Sequence, residues 1–215
     1  MISGIAGPAG AGKDTVADYL VAEYGFVKLA FAGPLKAMMA AGGFPEPVDR
    51  ALKEATVEGF DFTWREGVQA LGTEWGRVLD PDVWVKITER RIQTLTSTNP
   101  DARIVLSDVR FENEARMIRG LGGRVMHCIG RQGDLGACAG HASENGLCCL
   151  LGDILIENSG THKDLYRPID FAINHDAEAI AMPRANHPRT QHLQTSVWDV
   201  NPRKLVAGRA MGLGW

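Results

Sequence analysis

The chain has 215 residues, of which 45% are hydrophobic and 23% charged, with a formal net charge of −3. That size suits one domain with a substantial core and room for a small insertion, and the ordinary composition excludes disorder and collagen-like repeats. A pI near 6.1 gives no overall basic balance for nucleic acid. No apolar run approaches the roughly 18 residues of a membrane span, and no charged leader with a cleavage site opens the chain, so the expectation is a mature cytoplasmic protein whose partners are neither nucleic acid nor membrane.

In chain order, Ile2 to Ala6 is a short apolar strand that runs into glycine-rich residues. A helix follows, with Val16, Leu20 and Tyr24 on one face. Val27 to Phe31 reads as a strand ending at Gly33-Pro34, Leu35 to Ala41 as a helix, and Gly42 to Pro47 as a loop. Arg65 to Arg77 and Pro81 to Leu95 have helical spacing, the second capped by Asp80. Ile104-Val105-Leu106 is a compact buried-strand signal. A helix from Glu112 to Leu121 leads through Gly122-Gly123 to a strand at Val125 to Ile129. Residues Gly130 to Gly146 read as a mobile loop or small lid, Ile154 to Ile156 as a last strand, and a helix follows Thr161. Short apolar strands alternating with helices predict an α/β fold with a parallel sheet covered on both faces.

From Pro183 onward the chain carries Arg184, Arg189, Arg203, Lys204 and Arg209 against a single acid, Asp199. It shows no catalytic pattern and reads as a solvated or partly helical extension rather than a nucleic-acid arm. The cysteines Cys128, Cys138, Cys148 and Cys149 lack the layout of a secreted disulfide framework and read as reduced thiols. Cys138, His141 and Cys148 or Cys149 are zinc-ligand types, but without a paired C-x-x-C knuckle.

Gly7-Pro8-Ala9-Gly10-Ala11-Gly12-Lys13 fits G-x-x-x-x-G-K, a phosphate cradle. Glycines let successive backbone N–H groups curve around phosphate oxygens, the next helix turns its positive end on the same anion, and Lys13 adds a full charge that can bridge the β- and γ-phosphates. The strand before and the amphipathic helix after supply the context that the bare pattern lacks. The Ser/Thr that usually follows the lysine is replaced by Asp14, with Thr15 next. Either Asp14 meets Mg²⁺, directly or through water, or Thr15 does.

Asp108, just beyond Ile104-Val105-Leu106, lies where open α/β sheets place ligands and can hold Mg²⁺ as a Walker-B acid. Its bland alternative is a cap on the next helix. Arg110, two residues on, projects to the same side of an extended backbone and suits an acceptor phosphate. Arg65, Arg77 and Arg131 are further candidates. No His or Cys nucleophile is required, since a monophosphate oxygen is already anionic.

Several blocks together resemble the deoxynucleoside monophosphate kinase family of bacteriophages. They are Gly7 to Thr15, Phe31-Ala32-Gly33-Pro34-Leu35-Lys36, Gln69-Ala70-Leu71-Gly72-Thr73-Glu74, Asp108-Val109-Arg110-Phe111-Glu112-Asn113-Glu114, His141-Ala142-Ser143-Glu144 and Asp153 to Leu165. The resemblance spans about residues 1 to 175, and the Gly-Lys-Asp variant of the cradle belongs to it. It implies a three-layer nucleoside-monophosphate-kinase fold with a five-stranded parallel sheet in a kinase domain over 1–180. A helical acceptor-binding segment would cover about 33–97, a lid about 130–148, and 181–215 would be an extension. ATP would lie on Gly7, Ala9, Gly10, Ala11, Gly12, Lys13, Asp14 and Thr15, with Asn158 and Gly160 near adenine. Lys36, Arg65, Gln69, Trp84 and Arg110 would contact the acceptor, Trp84 by stacking and Gln69 by hydrogen bonding; a core tryptophan is the alternative for Trp84. Mg²⁺ would sit among Asp14, Thr15 and Asp108, and Lys13, Asp108, Arg110 and Arg131 would carry catalysis. The expected reaction is phosphoryl transfer from ATP to a deoxynucleoside monophosphate, by a chain that could pair as a homodimer. Kinases of phosphomevalonate or dephospho-coenzyme A share the cradle and are the alternative. A GTP switch lacks its guanine-reading element here, because Thr161-His162-Lys163-Asp164 has the wrong order.

Overall fold

The computed structural model describes residues 1–129, 147, 149–158 and 160–181, the last six of these by backbone alone. The first of its two compact units is Met1–Ile173. Five strands form one sheet in the order β2-β3-β1-β4-β5, and every pairing is parallel. The strands are β1 (Ile2–Ala6), β2 (Val27–Leu29), β3 (Ile104–Val109), β4 (Arg124–Ile129) and β5 (Ile154–Glu157). β1 is therefore central, with β3 on one side and β4 on the other.

Side chains alternate across the pleat, so each strand feeds two separate cores. Ile5, Val105, Met126 and Ile156 join Val16 and Leu20 of α1 (Lys13–Tyr24) and Leu165 and Ile169 of α7 (His162–Ala181). Ala6, Ile104, Leu106 and Val125 face Val85 and Ile92 of α5 (Val83–Thr98) and Ile118 of α6 (Glu112–Gly120). A β-carbon at Gly4 would stand 2.4 Å from Ile118 Cδ1, so the central strand is kept bare where α6 presses closest. The other layer is pinned by polar contacts. The hydroxyls of Tyr19 and Tyr24 both donate to Asp170 Oδ1 at 2.7 Å, and the Tyr19 ring stacks on Tyr166 at 3.7 Å.

Between β2 and β3 the chain makes α2 (Gly33–Ala41), α3 (Arg50–Glu54), α4 (Trp64–Gln69), a π-helical stretch (Ala70–Arg77) and α5. Thr63 and Glu66 cap α4 reciprocally: Glu66 N–H donates to the threonine hydroxyl and Thr63 N–H to the carboxylate. Three expectations are revised here. The single helix expected over Arg65 to Arg77 widens into a π-helix after Gln69, where a β-carbon at Gly76 would meet the Trp84 ring at 2.3 Å. The next helix begins at Val83, because Asp80 spends its carbonyl on Val83 N–H and its carboxylate on Asp82 N–H, shaping the turn before the helix. β3 continues through Ser107 and Asp108 to Val109, so Asp108 belongs to the strand. Among the described residues, no helix is long and apolar enough to cross a membrane.

Candidate active site

The turn from β1 to α1 is built by three glycines with left-handed φ: 144° at Gly7, 82° at Gly10 and 94° at Gly12. Two of them are also fixed by close approach. A β-carbon at Gly7 would lie 2.4 Å from the Cys128 carbonyl, and one at Gly12 would lie 2.6 Å from Asn158 Nδ2. Asn158 donates that amide to Ala11 O at 3.2 Å, which joins the end of β5 to the loop. Gly160 instead packs on Asp164, whose carboxylate takes Thr161 N–H and hydroxyl.

Lys13 Nζ donates to the carbonyls of Gly7 and Pro8, each at 2.7 Å, so the cation sits in the mouth of its own loop. Burial presses its pKa below the usual lysine range, and the positive Arg110 adds to that; Asp14 and Asp108 pull the other way. The loop lysine, the β3 aspartate and Arg110 thus share one electrostatic neighbourhood. Cys128 beneath the loop is a buried thiol pushed up to about 12 by desolvation, and so is inert.

Parallel pairing of Ala6 with Val109 brings Asp108 beside the glycine loop. Each of its carboxylate oxygens accepts one backbone N–H, from Phe31 at 2.8 Å and Ala32 at 2.9 Å. Asp108 therefore orders the exit of β2, and does not cap α6. Burial pushes its pKa up, and the amides of Ala32 and Phe31, with Arg110 and Lys36, offset this only in part. Asp14, on the first turn of α1, has a side chain 85% exposed and pairs with Lys28 at 3.2 Å. Thr15 is half-buried. A carboxylate that has one hydrogen bond on each oxygen retains lone pairs, so Asp108 with exposed Asp14 fits a hard divalent cation.

A cleft of about 360 Å³ opens from this point, with Asp14, Asp108 and Arg110 at one end and Lys36, Arg65, Gln69 and Trp84 among its lining. All the acceptor residues expected from sequence thus face one cavity. Their circumstances differ. The Arg110 guanidinium has no hydrogen-bond or ion-pair partner among the described residues and stands exposed. Arg65 Nε pairs with Glu54 at 2.5 Å. Lys36 shares Glu46 with Lys53, at 2.9 and 2.6 Å. Burial raises the Glu46 pKa, but bonds from Lys53 and Lys36 outweigh it and hold the carboxyl below its usual range. Trp84 is only 3% exposed and its indole N–H donates to Gly72 O at 2.8 Å. It is a buried wall of the cleft, as the core-tryptophan alternative to a stacking ring expected.

Arg77 also departs from expectation. Its guanidinium donates to Glu114 at 2.7 Å and to Pro81 O at 3.1 Å, and lies 3.7 Å over the Phe111 ring. It is committed to the protein and is not a loose phosphate ligand. Sequence reasoning missed Glu114 as a partner, and also missed Trp64, which lines the cleft with its indole bonded to Phe44 O at 3.1 Å. Phe111-x-x-Glu114 has the spacing of a capping box but no Ser or Thr at its head, so the usual signal is half absent. Arg131, the lid over 130–148 apart from Leu147, the zinc-ligand types Cys138, His141 and Cys148, and the tail over 182–215 lie outside the described residues, whereas Cys149 is a free, exposed thiol.

The 2-3-1-4-5 parallel order, with a glycine cradle after the central strand and an acid on its neighbour, defines a P-loop phosphotransferase architecture. The family model for deoxynucleotide monophosphate kinase matches residues 47–169, and the chain belongs to that family. A protein of Acanthamoeba polyphaga mimivirus, provisionally named a deoxynucleotide monophosphate kinase, is 29% identical over 83% of this chain and 98% of its own length. The deoxynucleotide monophosphate kinase of Escherichia phage RB69 is 32% identical over 56% of this chain and 49% of its own. Among solved structures, a Campylobacter jejuni dephospho-CoA kinase aligns over 83% of this chain and 98% of its own, with 14% identity and a TM-score of 0.44.

Proposed function

We propose that the chain transfers the γ-phosphoryl group of ATP to a deoxynucleoside monophosphate, giving ADP and the deoxynucleoside diphosphate. The observation that supports this reading is that the β1–α1 glycine turn of Gly7 to Lys13 follows the strand paired with β3, whose Asp108 lines the same cleft as Asp14 and exposed Arg110, so two anion sites would adjoin there. Family membership identifies the acceptor class.

The cradle amides and the α1 N-terminus would hold the β- and γ-phosphates. Lys13 would exchange its two loop carbonyls for phosphate oxygens and follow the charge as it moves. Asp108, with Asp14 or Thr15, would hold Mg²⁺, which supplies charge neutralisation across the donor phosphates. Arg110 would grip the acceptor phosphate by its planar fork, with Arg131 joining from the lid. Trp84 and Trp64 would bound the base and Gln69 would read its edge, while Lys36 and Arg65 would complete the acceptor site. Asn158 and Gly160 would lie toward adenine. The acceptor oxygen is already anionic, so the protein's work is alignment and charge stabilisation, and no residue need abstract a proton.

The test is an acceptor panel with ADP detection, using the four deoxynucleoside monophosphates, their ribonucleotides, dephospho-coenzyme A and phosphomevalonate. The expected result is magnesium-dependent ADP release with at least one deoxynucleoside monophosphate. Turnover of a non-nucleotide acceptor alone would overturn it.

A further inference from the structure

Just beyond β3 the Arg110 guanidinium has no hydrogen-bond or ion-pair partner among the described residues, yet its backbone N–H is held by a carboxylate. Glu114 reaches back from the first turn of α6, and its Oε2 accepts N–H from both Arg110, at 2.8 Å, and Phe111, at 3.0 Å. Its Oε1 accepts from Arg77 at 2.7 Å. The ion pair is buried, with 15% and 4% of the two side chains exposed. Arg77 closes the π-helical stretch of the acceptor-binding segment, whereas Glu114 belongs to the sheet's covering helix. One carboxylate therefore ties together the peptide that aims Arg110 and the segment that walls the acceptor cleft.

We propose that Arg77 and Glu114 are positioning residues for phosphoryl transfer, a buried strut that fixes the aim of Arg110 relative to the acceptor cleft. The inference rests on the functional reading above and adds two residues to it. A buried pair between two charged groups adds little net stability compared with an apolar replacement; what this one does supply is geometry. Arg77 presents two nitrogens and a flat face, used on Glu114, Pro81 O and Phe111 together, so the end of the π-helical stretch is fastened to the start of α6 at several points. Glutamine at position 114 can still receive the two backbone N–H groups on its carbonyl oxygen, but its amide would then face the Arg77 guanidinium donor to donor.

The experiment is a mutant cycle on the full chain at mildly alkaline pH, with kcat and KM measured for Mg·ATP and a deoxynucleoside monophosphate. The variants are E114Q, R77M, R110A and the doubles E114Q/R110A and R77M/R110A. If a group acts through Arg110, E114Q and R77M each lower kcat by about 10- to 100-fold, the scale of a small misplacement. The KM for ATP should stay within about two-fold, and the doubles should be no slower than R110A alone. R77K should recover only part of the loss, since charge without the planar fork does not restore the stack on Phe111. Losses that multiply in the doubles, or an R110A variant faster than E114Q, overturn the strut. Should E114Q fail to fold, the Arg77 cycle reads the same coupling. Wild-type protein inert toward every deoxynucleoside monophosphate would overturn the functional reading itself, a result separate from multiplicative losses in an active enzyme.

Discussion

The glycine loop and the neighbouring cleft are made of different material. The loop is backbone: glycines, main-chain amides and one lysine, all supplied by seven consecutive positions from the end of β1 to the first residue of α1. The cleft is side chain: residues from α2, α4, the π-helical stretch, α5 and the end of β3 converge on it from distant positions. A phosphate can be recognised by amides that any sequence carries, provided the turn is possible. A base and its sugar need shaped walls, which take many residues to build.

That contrast can be broken by substitution on either side. The largest expected effect is Lys13→Ala, with kcat/KM down by at least about 100-fold, the scale for removing one charge-stabilising donor. Its melting temperature should hardly move, because the ammonium bonds only loop carbonyls; near-normal turnover would remove Lys13 from the mechanism. Gly12→Ala comes next. The new methyl meets Asn158 Nδ2 at 2.6 Å and the left-handed φ disfavours it, so ATP affinity measured by titration calorimetry should fall at least about ten-fold while acceptor KM changes little. Unchanged ATP affinity would mean the loop does not need its observed turn.

On the acceptor side, Trp84→Phe removes the bond to Gly72 O and leaves space against Gly76. Urea denaturation should register a loss of about 1–3 kcal/mol, with ATP affinity retained. Arg65→Ala should do least: the arginine is half-exposed and paired on the surface with Glu54, so stability should stay within about 0.5 kcal/mol, and only acceptor KM should rise, by a few-fold.

A pH experiment away from both sites sharpens the comparison. The Asp153 side chain is only 3% exposed, and its carboxyl pKa is held down to about 2. Burial pushes that carboxyl up, but Arg119, Leu150 N–H and His127 overcome it. A carboxyl with a depressed folded pKa stabilises the fold above its unfolded value and loses that contribution as pH falls through the folded one. Stability measured by denaturation should therefore decline between about pH 4 and pH 2, and Asp153→Asn should flatten that part of the profile. An unaltered slope in the variant would show that other carboxylates govern acid unfolding.

Much of this was legible in the sequence, for physical reasons that also explain the remainder. Ile104-Val105-Leu106 could be read because a strand buried on both faces needs an unbroken apolar run. Lys13, Gly7 and Gly12 could be read because their task depends on local backbone geometry, which sequence spacing encodes. Asp108 was found, but not its grip on Phe31 N–H and Ala32 N–H, since those partners lie more than seventy positions away. The π-helical turn escaped because its apolar positions keep a helical spacing up to Gln69, and the widening answers to the Trp84 ring, a tertiary contact. Arg77 stood only as a further candidate for the acceptor phosphate because nothing nearby in sequence foretells Glu114, 37 positions on.

One detail of the loop bears on how quickly such a protein could work. Because Lys13 rests on Gly7 O and Pro8 O, the ammonium and the curled main chain shape each other. Under the proposed function, receiving a nucleotide would be an exchange of partners within a preset ring, with no slack segment to be ordered first. Entropy that a limp loop would forfeit on every encounter was surrendered once, when the polypeptide folded.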